Sequence, residues 1–231
     1  NAAKLSDEIR SQDLIRVAGR VNLYQGRKQV VVEAAEKAAP GGAPLDRFVP
    51  TSSYDLNRLY DDLLSLFRSL ENPFAKELCV KTLEDAEVKR RIMRATAAKT
   101  VHHAYAGGLL EHTLSVCRIL DSLARHYRAY YGETVSRDLL LLGGLFHDIG
   151  KIYELSFERG TEYSKEGQLI GHHVLGCELV DQISSRIEGF PSELKIQAKH
   201  MILAHHGKLE YGSPKVPHTV EALLVHMVDD M

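Results

Sequence analysis

Residues 137–151 read RDLLLLGGLFHDIGK, an apolar run that ends on a histidine, an aspartate and, three residues further, a lysine. The run is apolar enough to predict a buried helix from Arg137 to Phe146, with Gly150 near its end as the C-terminal stop. An imidazole and a carboxylate at the buried end of such a helix need compensation, because unpaired polar groups are costly in an apolar interior. Successive helical side chains lie about 100° apart, so His147 and Asp148 can reach toward one ion. A metal compensates both groups at once, since each serves as a ligand.

The rest of the chain supplies further ligands. All twelve histidines fall between His102 and His226. They include His102-His103, His112, His172-His173 and His205-His206, the last pair following the apolar stretch Met201 to Ala204. His112, within GGLLEHTL, precedes His147 by a helix-length interval, and VHMVDD places Asp229 near the end. His112, His147, Asp148 and Asp229 thus form a candidate ligand group drawn from three helices. His172 with His205 and His206 adds imidazoles for a second ion, and Asp148 stands where it can bridge the two. Taken singly, His112 reads as a hydrogen-bonded core residue; in this company coordination is the simpler account.

Other residues take plainer readings. His173 is assigned to another face of its helix as a structural residue. His126, His200, His218 and His226 are left to surface or core, with a supporting role open for His226, three residues before Asp229. Glu111 reads as solvated and Cys177 as a small buried hydrophobe. The glycine pairs 107–108 and 143–144 match no GxGxxG pattern and predict close helix packing.

With 231 residues, 44% of them hydrophobic, the chain can bury one substantial core and still carry a smaller attachment. Its net charge of −2 means that nucleic-acid affinity must come from a local patch. Lys89, Arg90, Arg91, Arg94 and Lys99 offer one, although a solvated helix face is the preferred reading. Cys79, Cys117 and Cys177 lie far apart in helix-like patterns, which predicts reduced core residues in a cytoplasmic protein. Neither a signal segment nor a membrane span is expected.

Residues 14–33, LIRVAGRVNLYQGRKQVVVE, alternate β-branched and polar positions around a turn at Gln25-Gly26 and predict a β-hairpin. Two or three strands cannot close a barrel. Ala39 to Pro50, with three prolines and two adjacent glycines, reads as a linker. Leucines from Leu56 to Leu70 recur at helical spacing, with Ser52 or Ser53 available as cap. Further helices are expected over Phe74–Leu83, Asp85–Ala98, Leu109–His126, Leu169–Ile187, Ser192–His206 and Thr219–Asp230.

Several longer words carry a family resemblance. The order H, then HD, then a final D resembles the HD-domain phosphohydrolase superfamily, in the form that has extra histidines and binds two metals. HHAYAGGLLEHTL, HDIGKIYEL, LIGHH and HHGKLEYGSPKVPHTVEALLVHMVDD are similar to the YhaM-type 3'-to-5' exoribonucleases. VAGRVNLYQGRKQVVVE resembles the later strands of the OB domain that precedes the HD domain there, and only about half of such a barrel is present. The implied fold is mainly α: an incomplete OB-like β segment and linker over residues 1–46, a helical connector over 47–100, and an all-helical HD domain over 101–231.

The resemblance also implies roles. His112, His147, Asp148 and Asp229 would hold the first metal, Asp229 being preferred to Asp230. His172 and one or both of His205 and His206 would hold the second. Lys151 would contact phosphate, and His147, Asp148 and Lys151 form the catalytic set. His102 and His103, with Lys208 and Tyr211, would line the substrate entrance. Mn²⁺ is the implied ion, while the ligand chemistry also admits Fe²⁺, Co²⁺, Ni²⁺, Zn²⁺ or Mg²⁺. The expected reaction is attack of metal-activated water on a phosphodiester of single-stranded RNA or a short oligonucleotide, releasing 5'-mononucleotides. Hydrolysis of nucleotides or cyclic dinucleotides is the enzymic alternative, and a nucleic-acid-binding regulator with a vestigial centre is the non-enzymic one. No membrane partner is expected, and the oligomeric state is not legible.

Overall fold

The computed structural model describes residues 9, 13–38, 50–97, 105–132, 134–156 and 162–231. They fall into two compact units, one within residues 1–49 and one built from the helical residues from Pro50 onward. Most of the 39–50 linker, together with His102, His103 and Lys99, lies outside the described residues.

In the first unit β1 (Ile15–Tyr24) pairs antiparallel with β2 (Arg27–Lys37). Gln25 and Gly26 both have positive φ, 49° and 76°, a tight turn whose twist matches its strands. The register shifts between Ala18 and Gly19, where Gly19 lies so close to the Val31 carbonyl that a Cβ would not fit. Almost every side chain of the ribbon is exposed, Val21, Leu23 and Val30 among them. Among the described residues no third strand joins it.

The second unit begins with α1 (Leu56–Arg68), α2 (Pro73–Glu84) and α3 (Ala86–Ile92). The long α4 (Gly108–Tyr131) and the apolar α5 (Arg137–Phe146) follow, then α6 (Lys151–Glu154) and the short pair β3 (Leu155–Ser156) and β4 (Glu162–Tyr163). It ends with α7 (Lys165–Leu169), α8 (His172–Ser184), α9 (Ser192–Ala204), a 3-10 turn (Leu209–Tyr211) and α10 (Val220–Asp229). Leu140, Leu141, Leu142, Leu145 and Phe146 of α5 are wholly buried, and α1 to α3 share one hydrophobic core with α4, α5 and α8 to α10. No helix among the described residues is long and apolar enough to cross a membrane.

Four local expectations are corrected. The cap of α1 is Asp55, whose carboxylate accepts from the Asn57 and Arg58 amides; Ser52 instead donates to Glu111. The helix expected over Asp85–Ala98 stops at Ile92, with Asp85 serving as its cap and Ala95 to Ala97 buried beyond it. The helix expected over Leu169–Ile187 is split at Gly171, whose φ of +82° only glycine adopts readily. Gly150 is no helix stop: its φ is −61°, and His147 to Gly150 form a turn that leads directly into α6.

Candidate metal centre

Two glycines set the distances around α5. A Cβ on Gly143 would stand 2.5 Å from Met201 Sδ on α9 and 2.8 Å from Val225 Cγ2 on α10. A Cβ on Gly144 would stand 2.8 Å from Cys117 Sγ and 2.9 Å from Leu120 Cδ1 on α4. The close packing expected at 143–144 is present, and the helices it admits carry His112 on α4, His205 just past α9 and Asp229 on α10. Gly150 does the same for α8: a Cβ there would overlap the His172 carbonyl and stand 2.8 Å from the Gly176 amide.

The result is two adjoining groups. In the first, His112 Nε2 lies 3.1 Å from His147 Nε2 and 3.0 Å from Asp229 Oδ1, and His147 Nε2 lies 3.3 Å from that same oxygen. Asp148 Oδ2 completes the set, 3.7 Å from His112 and 3.6 Å from His147. The four donor atoms lie within 4.8 Å of one another, as do those of a second group, His172, His173, His205 and His206. Asp148 joins them, because its other oxygen, Oδ1, lies 3.8 Å from His172 Nε2 and 3.5 Å from His205 Nε2.

The backbone and one carboxylate fix the ring orientations. His147 Nδ1 donates to the Gly144 carbonyl at 3.0 Å, and His205 Nδ1 to the Ile202 carbonyl at 2.7 Å. Glu154 Oε1 accepts from both the backbone N and Nδ1 of His172, each at 3.1 Å. An Nδ1 proton committed to an oxygen leaves the Nε2 lone pair facing the site, the tautomer a metal ligand needs. His226 Nδ1 donates to the His205 carbonyl at 2.7 Å, the supporting role left open for it.

Asp148 Oδ1, His172 Nε2, His173 Nε2, His205 Nε2 and His206 Nδ1 are all buried without a hydrogen-bond partner. Buried polar atoms are nearly always satisfied, so five such atoms gathered in one place fit a cation that they would share. The carboxylates of the two groups stay ionised. Burial pushes the Asp148 carboxyl up, but Lys151, His147 and His205 overcome it and hold the group well below the usual carboxylate range. Asp229, also raised by burial, is held low by His147 and His112. Burial and neighbouring imidazoles press His173 down to about 3 and His206 to about 4.

Other expectations fare differently. Lys151 Nζ forms a 2.6 Å ion pair with Asp148 Oδ2, which places its ammonium at the first group. Lys208 is exposed, with Nζ 5.2 Å from the Tyr211 ring centroid. Asp229, not Asp230, faces the site. His173, read as structural, sits in the second group. Glu111 is no solvated residue; it accepts from Ser52 at 2.7 Å and pairs with Tyr105. The basic run is tied down locally, Lys89 over the Tyr60 ring and Arg90 and Arg91 on Glu87. Glu154 was missed, although a carboxylate between the buried Ile152 and Leu155 calls for the same compensation that singled out Asp148.

The model of the HD domain family matches residues 109–231. The 3'-5' exoribonuclease YhaM of Listeria innocua is 33% identical over 231 residues, covering 99% of this chain and 71% of the relative. The protein of the same name from Bacillus subtilis is 31% identical over 234 residues, with the same coverage. No solved structure matches the chain.

Proposed function

This chain belongs to the HD-domain family and, within it, to the family of the YhaM exoribonucleases, and we propose on that premise that it is a metal-dependent 3'-5' exoribonuclease. Its substrate is single-stranded RNA or a short oligonucleotide, shortened from the 3' end with release of 5'-mononucleotides. The observation that carries this reading is the placement of Asp148, one oxygen toward His112 and His147 and the other toward His172 and His205. A carboxylate so placed serves two cations at once, the arrangement suited to displacement at phosphorus.

Divalent ions, Mn²⁺ in this reading, would lower the pKa of the attacking water and neutralise charge on the leaving 3'-oxygen. The protein supplies the rest. His112, His147, Asp148 and Asp229 would hold one ion, and His172, His205 and His206 the other, with Asp148 placed to serve both. Lys151 spends one donor on Asp148 and turns its others toward a nonbridging phosphate oxygen, where an ammonium stabilises developing charge. His102, His103 and Lys208 are assigned to guiding the strand on the family resemblance alone. The three free thiols suit a reducing compartment, which we take to be the cytoplasm.

The test is a 5'-labelled single-stranded RNA incubated with the protein and Mn²⁺. A ladder of products shortened one nucleotide at a time from the 3' end is expected. Asp148→Asn should lower the rate by about 10³-fold or more, several kcal/mol of lost stabilisation. Faster turnover of free nucleotides or cyclic dinucleotides than of RNA would overturn the substrate assignment. A ladder unchanged by Asp148→Asn would overturn the mechanism.

A further inference from the structure

The two ligand groups differ in kind. The first combines two imidazoles with two carboxylates, while the second brings together four imidazoles with only the edge of Asp148 beside them. We propose that His173 is a metal ligand and that, with His172, His205 and His206, it makes the second position an imidazole-rich site that takes a late first-row dication such as Zn²⁺ in preference to Mn²⁺. This rests on the metal reading of the preceding section and assigns to the two positions different ions.

The local structure explains how adjacent residues serve one ion. His172 and His173 open α8 immediately after Gly171, and their rings stack with centroids 4.2 Å apart. His205 and His206 follow the last turn of α9, with ring centroids also 4.2 Å apart. The pairs face each other, His173 lying 4.9 Å from His205 and 4.6 Å from His206, centroid to centroid. A purely structural His173 would hydrogen-bond its buried nitrogen, yet Nε2 has no partner, and the same holds for His206 Nδ1. Leaving such an atom unsatisfied in the interior is costly, and four of them side by side form an arrangement that one cation relieves.

Donor spacing fits. Atoms within 4.8 Å of one another need only a small closure to meet on one ion with bonds of ~2.1 Å, with Asp148 Oδ1 beside them as the shared further ligand. Imidazole favours zinc, copper, nickel and iron, whereas carboxylate and water favour manganese and magnesium. The first group, half carboxylate, therefore accepts Mn²⁺ readily, and the second discriminates against it.

The experiment is equilibrium dialysis of the whole chain against equimolar Zn²⁺ with a tenfold excess of Mn²⁺, followed by elemental analysis and zinc X-ray absorption. Wild type should retain one Zn²⁺ with four imidazoles counted on it. His173→Leu should bind that zinc at least tenfold more weakly and show three imidazoles, with circular dichroism and Mn²⁺ content of the first group confirming that the variant folds. Equal zinc affinity and ligand count in His173→Leu would overturn the proposal, as would a wild type that takes up Mn²⁺ at both positions. Failure of the exoribonuclease reading is seen separately, as the absence of an RNA ladder with wild type in Mn²⁺.

Discussion

At the scale of single residues, the centre depends on partners that never face the cations. Glu154 lies within HDIGKIYEL without a role assigned to it from sequence, yet it holds His172 by both its backbone and its ring. Burial raises its carboxyl, and His172 overcomes this and keeps the group below its usual range, hence charged. Glu154→Gln keeps the size and loses the charge. It should weaken metal binding at the second group by about 10- to 100-fold, the usual effect of removing such an orienting partner, read by titration calorimetry. An unchanged affinity would mean that His172 orients itself. Most of the candidate ligands were legible as residue types in buried settings: His112, His147, Asp148 and Asp229 all converge. His173 was not, because a helical-face argument assumes that the helix is already under way. It is in fact the second residue of α8, at a helix start where His172 and His173 both turn to the same side.

At the scale of elements, the periodic stretches were legible and their ends were not. Arg137 to Phe146 follows the apolar run to the residue, because burial on every face leaves helix as the structure that satisfies its backbone. The cap of the first helix was misjudged, because Asp55 and not Ser52 captures its amides, and helix ends were misjudged where α3 stops at Ile92 or where a positive φ broke the run at Gly171. Gly150 shows the reverse case, a glycine kept for space and not for conformation. Gly150→Ala would force the turn after α5 away from the backbone of α8, a clash with main-chain atoms that have little room to yield. The expected cost is about 2–3 kcal/mol in the range typical of overpacking, measured by urea denaturation, with RNA hydrolysis falling further than stability alone explains. A variant as stable and active as wild type would show that α8 moves freely against the His147–Gly150 turn.

For the molecule as a whole, candidate ligands carried by α4, α8 and α10 and by the turns after α5 and α9 would make cation binding a brace across the helical unit. Removing the ions with EDTA should therefore lower its melting temperature by roughly 5–10 °C, the shift expected from losing a ligand held at 100 times its dissociation constant. Scanning calorimetry with and without Mn²⁺ checks this, and superimposable curves would speak against a bracing role. The helical unit was legible from sequence because its hydrophobic repeat and its ligand residues agree. The ribbon of β1 and β2 was legible as strands, but a two-stranded alternation does not say which face would be covered, and both faces stand exposed. Tolerance to mutation should follow an unusual map. Gly143, Gly144 and Gly150 have no functional group to lose, yet each keeps open the gap of one methyl through which a ligand-bearing helix reaches the centre. A saturation scan scored on turnover should rank these chemically silent positions beside the histidines, and the added bulk, not any missing atom, would be the lesion.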